Sequence, residues 1–164
     1  MSVESVRAFF ARNAPDIRVI ELETNTATVA MAAAGHGVEP GQIAKTLSLK
    51  AGGRHFLVVT RGDARLDNKK AKAVFGGKVT MLCPDEVLAA TGHAVGGVCP
   101  FGLSADLPIY CDVSLKDFNE VMPAAGSSHS AVRIHPLRMA ELVGAQWVDV
   151  SYRTPRPAVG PRST

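Results

Sequence analysis

Two apolar, β-branched segments, IAKTLSLK over 43–50 and RHFLVVT over 54–60, stand on either side of Ala-Gly-Gly-Arg at 51–54. Glycines supply the positive backbone angles a tight reversal needs, so the segments are predicted to pair as an antiparallel hairpin. That hairpin fixes the centre of any sheet this chain builds, and it also sets a charge problem. Side chains alternate between the two faces of a strand. Lys45 shares the parity of Ile43, Leu47 and Leu49, a register that aims its ammonium group at the apolar side, where an unpaired charge is costly or shifts its pKa. One reading makes Lys45 the cation of a pocket that takes an anionic or carbonyl oxygen. In the other, the strand begins after Lys45, whose side chain reaches solvent from a turn.

Around the hairpin the signals alternate without a regular βαβ rhythm. Ser2 is placed to cap a helix through about Asn13, with Val3, Val6, Phe9 and Phe10 as its apolar stripe. Residues 17–22 read as a short strand, and a small-residue helix over 28–34 is expected to stop at Gly35 and Gly37. Asp67 and Pro84 each open a helix, Gly76 and Gly77 close the first, and KVTML between them reads as a strand. LPIYCDV is a further strand, followed by a short helix capped by Ser114. Pro136 starts a last helix ended by Gly144, and WVDV forms a terminal strand. The expectation is an α+β fold: one domain over 1–152, with a mixed, largely antiparallel sheet and flanking helices. Residues 153–164, RTPRPAVGPRST, hold little to bury and read as a disordered Pro/Arg-rich tail.

The composition, 46% hydrophobic and 20% charged over 164 residues, is that of a globular domain able to bury a core. No apolar run reaches the roughly 18 residues a membrane helix needs, and no basic-then-apolar leader opens the chain. A soluble cytoplasmic protein with no membrane partner is therefore expected. Cys83, Cys99 and Cys111 form no C-x-x-C pair and read as reduced thiols. The net charge of +3 is carried by the arginines of the tail, without which acids and bases balance. Within that balance, Arg61, Arg65, Lys69, Lys70, Lys72 and Lys78 outnumber Asp63 and Asp67 over 61–78. Such a basic face suits phosphate, although a solvated helix face has the same composition.

Two polar, glycine-bearing loops, GGVCPFG over 96–102 and AAGSSHSA over 124–131, offer backbone amides that could point at a carbonyl oxygen. Ordinary turn chemistry would explain either loop alone. Joined to Lys45, and with the hydroxyls of Ser127, Ser128 and Ser130, they outline one small pocket for a short polar side chain. His129 lies in the second loop, where an imidazole could bond a substrate or water. Cys99 could be a nucleophile with His93 or His129 as base, or simply a small apolar residue. The histidines at 36, 55, 93, 129 and 135 lack metal-binding spacing, and no G-x-G-x-x-G is present, so neither a metal nor another cofactor is expected.

Taken in order, IAKTLSL, TRGDARLDNKKAKAVFG, VGGVCPFGL, LPIYCDV and AAGSSHSAVRI resemble the YbaK/prolyl-tRNA synthetase-associated editing domain family, over nearly all of the chain up to Tyr152. The resemblance implies a compact α+β domain that hydrolyses wrongly charged aminoacyl-tRNA, within a synthetase or free-standing in trans; a chain of this length without synthetase motifs would be the free-standing kind. It makes Lys45 the essential lysine, engaging the terminal adenosine's phosphate or the ester. Gly97, Pro100 and Gly102 become the loop whose backbone positions the aminoacyl carbonyl. Residues 126–131 become the loop facing the amino-acid side chain, although GSSHSA is less glycine-rich than that of many relatives. Lys69, Lys70 and Lys72 would then meet the acceptor-stem backbone. The expected substrate is a small noncognate amino acid on tRNA for proline, or a cysteinylated tRNA, with an aminoacyl-tRNA synthetase as a possible partner. Hydrolysis could use water and the ribose hydroxyl, or a cysteinyl thiol could attack its own ester. Rival expectations are a non-catalytic tRNA- or synthetase-binding module and a Cys99-dependent small-ester hydrolase.

Overall fold

A computed structural model describes residues 2–153; the expected tail falls outside the described residues from 154 onward. In chain order the strands and helices are α1 (Ser2–Asn13), β1 (Ile20–Glu21), α2 (Val29–His36), β2 (Ile43–Ala51), β3 (Arg54–Arg61), β4 (Ala64–Leu66), α3 (Asn68–Phe75), β5 (Thr80–Met81) and α4 (Pro84–Thr91). They continue with β6 (Ile109–Asp112), β7 (Met122–Pro123), β8 (Ser130–Ala131), α5 (Pro136–Val143), β9 (Gln146–Val148) and β10 (Ser151–Arg153). Two 3-10 turns, Pro40–Gln42 and Val113–Asp117, lead into β2 and out of β6.

The hairpin forms as its alternation requires: β2 and β3 pair antiparallel from Ala44↔Arg61 to Ala51↔Arg54, closed by Gly52 and Gly53 at positive φ. The sheet extends outward in the order β5-β2-β3-β6-β9. β3–β6 and β6–β9 are parallel, so the antiparallel part of this mixed sheet is the hairpin and β5. Both faces are covered. On one, Val59 and Ala44 pack with Val6 and Phe10 of α1, Phe101, Leu115 and Met139. On the other, Leu49, Phe56 and Val58 pack with Ala71 and Phe75 of α3. Burying a side chain of this kind contributes roughly 1.5–3 kcal/mol, and this accounts for the near-continuous apolar run in β3.

Several expected boundaries move, each for a local reason. The strand expected over 17–22 shrinks to Ile20–Glu21 because its strand partner, β8, offers only Ser130 and Ala131. α2 runs through Gly35 to His36; Gly35 is there for close approach, since a Cβ would lie 3.1 Å from Leu22 and 3.2 Å from Thr26. Asp112, not Ser114, caps the turn after β6: its side chain accepts from Ser114 N, while Ser114 Oγ accepts from Arg61 N. β4 and β10 pair only with each other, Ala64 against Arg153, so the first residue assigned to the tail is strand.

Candidate functional site

β2 has one edge on β3 and one edge that is only partly covered. β5 pairs with it at Leu49 and Lys50, and β7 at Ile43 and Ala44, leaving residues 45–48 without a neighbouring strand. A cavity of about 330 Å³ occupies this interruption. Its floor is Lys45, Thr46 and Ser48. Val29, Ala32 and His36 of α2 form one wall, and Gly96, Val98, Ala124 and Ser130 of the two loops form another.

Lys45 is half-buried, and its Nζ donates to the carbonyl oxygen of Ala64 in β4. Burial holds its pKa below the usual lysine value; Arg65 pushes in the same direction and Asp63 opposes. The ammonium thus rests against the turn between β3 and β4, not against either glycine-bearing loop. Parity explains this. Lys45 shares its face with Leu47 and Leu49, whereas Thr46 and Ser48 share the face of Ala44, on which the loops lie. The turn is rigid. Arg61, 7% exposed, is bonded through Nε and Nη2 to both carboxylate oxygens of Asp63, reaches Asp117 Oδ2 at 2.7 Å and stacks over Phe118.

The loop residues are brought together differently from the expectation. Gly126 N donates to Gly97 O at 3.0 Å, and Gly97 N donates to Ala94 O, so these two amides are engaged inside the protein. A Cβ on Gly97 would lie 2.5 Å from Ser127 N, which makes glycine obligatory where the loops touch. Gly102 does not line the cavity. It sits under α1, where a Cβ would meet Ser5 O at 2.6 Å, and Gly126 meets Ser2 O in the same way. Pro100 is buried away from the cavity. Ser127 Oγ bonds Ser130 Oγ and accepts from His129 N, and Ser128 Oγ bonds His129 Nδ1. Of that loop's expected binding residues, Ser130 is the one that lines the cavity. The main-chain oxygens of Ser128 and His129 tie the loop to Thr26 and Leu22.

Lys69, Lys70 and Lys72 are exposed on α3, beyond the face of the sheet that carries Phe56, and none lines the cavity. Lys70 is engaged by Asp149 and by Ser151 O.

A protein-family model described as the aminoacyl-tRNA editing domain matches residues 23–142, the span that holds the cavity. The chain belongs to this family. It is 47% identical to the uncharacterized protein YwhH of Bacillus subtilis, over 92% of this chain and 97% of YwhH. It is 30% identical to a candidate Cys-tRNA(Pro)/Cys-tRNA(Cys) deacylase, EbsC of Enterococcus faecalis, over 70% of this chain and 71% of EbsC. A solved structure of a candidate trans-editing enzyme for prolyl tRNA synthetase superposes with a TM-score of 0.86, at 34% identity over 92% of this chain and 97% of that one.

In this editing domain Cys99 sits as a core residue. Its side chain is fully buried and burial pushes the thiol up to about 12. His93 Nε2 lies 2.8 Å from the carbonyl oxygen of Phe101, so it carries the proton and donates there. That nitrogen, 3.6 Å from Cys99 Sγ, cannot also act as the thiol's base.

Two cavity residues escaped the sequence reading. Thr46 follows the lysine and has a buried hydroxyl without a partner. His36, whose Nε2 is likewise unpartnered, is held below the usual histidine pKa by burial and then by Arg133. Helical spacing could have placed His36 on the Ala32 face of α2, but nothing local singles out Thr46.

Proposed function

We propose that this editing domain acts in trans, hydrolysing the ester of mischarged aminoacyl-tRNA that carries a small noncognate amino acid, on tRNA for proline or as a cysteinylated tRNA. One observation carries the reading: a cavity of about 330 Å³ opens at the interrupted edge of β2, beside a half-buried lysine, in a chain of this family. Binding alone separates side chains that differ by one methylene by only about 1–3 kcal/mol, so a second, size-limited pocket is the physical remedy for mischarging. An aminoacyl ester is already activated. It needs positioning and a polarised carbonyl more than a protein nucleophile, whether water or the substrate's own thiol attacks.

In this reading Lys45 is the cation that meets the terminal phosphate or the ester, and Ser130 is part of the cavity wall formed by the loops. Gly97, Gly102, Pro100 and Gly126 hold the loops in place, and Ser127, Ser128 and His129 shape the second loop from behind. Lys69 and Lys72 on the exposed face of α3 would meet the acceptor stem, with Lys70 partly withdrawn by Asp149. The substrate places the protein in the cytoplasm, and a synthetase that makes the error is the natural partner. Among the described residues, no helix is long and apolar enough to cross a membrane.

The deciding experiment charges tRNA with Ala, Cys, Ser, Thr and Pro and follows ester decay with wild type and Lys45→Ala. Selective decay that falls by about 10²–10³-fold in the variant is expected. Equal decay in both proteins would leave only a binding module.

A further inference from the structure

The interruption in β2 leaves a particular set of main-chain groups without a neighbouring strand. Ser48 O accepts from Leu82 N at 2.9 Å, so the polar groups of Ser48 point away from β3. Its cross-strand partner Leu57 agrees, giving its own N–H to Pro108 on the β6 side. Main-chain groups alternate along a strand, so the N–H and C=O of Thr46 point to the same outer edge, into the cavity. The β7 ladder stops at Ala44↔Pro123 and the β5 ladder at Leu49↔Met81. Neither ladder reaches Thr46, and among the described residues its buried Oγ1 also lacks a partner. Buried polar groups are almost always satisfied, so a buried, unpartnered hydroxyl beside two main-chain groups outside both ladders marks a place for a ligand.

We infer that the aminoacyl group binds as a one-residue strand against Thr46, whose N–H donates to the ester carbonyl oxygen while its C=O accepts from the α-ammonium. An extended amino acid presents its amino group and its carbonyl oxygen on the same side, which is the pattern of a hydrogen-bonded antiparallel pair. The edge then does what the amides of Gly97 and Gly126, engaged inside the protein, do not: it polarises the carbonyl with a donor held by the sheet. The ligand class is an α-amino ester with a free amino group, recognised through its main chain, with selection by side-chain size left to the cavity walls. This inference rests on the reading that the cavity hydrolyses aminoacyl-tRNA.

The test replaces the Thr46 amide by an ester, through incorporation of the α-hydroxy analogue of threonine, and makes the same exchange at Leu47 as a control, because Leu47 N–H points to β3. Loss of one oxyanion donor predicts a fall in kcat of about 10²–10³-fold at position 46 and a much smaller one at 47. Propionyl-tRNA, which lacks the α-amino group, is expected to be cleaved at least about tenfold more slowly than alanyl-tRNA after each rate is divided by that ester's uncatalysed hydrolysis, the loss of one charge-assisted hydrogen bond. Separately, the amide resonance of Thr46 should move downfield on addition of 3′-alanylamino-3′-deoxyadenosine. Wild-type turnover with equal losses at 46 and 47, or with propionyl- and alanyl-tRNA cleaved alike after that division, overturns this inference and spares the editing reading. A wild type inert on every charged tRNA overturns both.

Discussion

The two glycine-bearing loops and the outer edge of β2 carry the same chemical groups, amides and hydroxyls, in opposite states. In the loops they are bonded to one another: Gly126 to Gly97, Ser127 to Ser130, Ser128 to His129. At the edge, the N–H and C=O of Thr46 lie outside both ladders, and its Oγ1 has no partner among the described residues. At these positions the loops brace one another, whereas the β2 edge is left open to the cavity. A glycine-rich sequence signals close approach, but close approach to another loop consumes the amides that a substrate would need.

The largest effect should come from breaking the wall. Gly97→Ala puts a Cβ 2.5 Å from Ser127 N and 2.6 Å from Gly126 C, both main-chain atoms with little room to yield. Overpacking of this kind costs about 1–3 kcal/mol or more, and a urea midpoint lowered at constant m-value would record it. Because Gly96 and Val98 line the cavity, turnover should fall as well. A fully stable, active Gly97→Ala would mean the loops do not hold each other.

A smaller effect tests how the β3–β4 turn sets Lys45. Asp63 raises the lysine's pKa, whereas burial and Arg65 lower it. Asp63→Asn removes the one opposing charge, so the pKa drops further. If turnover needs the charged form, the alkaline limb of kcat/KM moves to lower pH while the acid side is unchanged. A pH–rate profile superimposable on wild type would show that the turn supports the strand without tuning its lysine. Smaller still is the effect of Lys69→Ala with Lys72→Ala: a severalfold rise in KM at low salt, little change in kcat, and a salt slope shallower by about 1.5 for two lost phosphate contacts.

How much of this was legible in the chain follows from where each signal lies. The hairpin and the helices opened by Asp67, Pro84 and Pro136 are local, carried by alternation and by caps, and they form as read. β4 and β10 are three residues each and exist only through each other across the length of the chain, which no local pattern encodes. Lys45 stood out because a charge on an apolar parity is a local anomaly. Thr46 did not, because threonine is unremarkable in a strand; its importance comes from β5 and β7 stopping short on either side, a fact of long-range pairing. The same limit misled the reading of Gly102, whose contact is with Ser5 in α1.

Cys99 gives the smallest expected change and the sharpest contrast between wall and edge. Its sulfur lies in the core with Phe10, Phe101 and Ala125, and packing and weak contacts with the Phe101 carbonyl, His93 and the Gly126 backbone are what depend on it. Cys99→Ala removes one buried atom, so a loss of about 1 kcal/mol in stability is expected, in line with small core deletions, with kcat on charged tRNA unchanged. A Cys–His hydrolase would instead lose turnover outright on this substitution, yet burial holds the thiol at about 12, far from the thiolate such chemistry requires. Measuring turnover together with the unfolding midpoint separates the two: a variant that is slightly less stable and fully active places Cys99 with the wall, and a stable, inactive one would move the chemistry from the β2 edge to the loop.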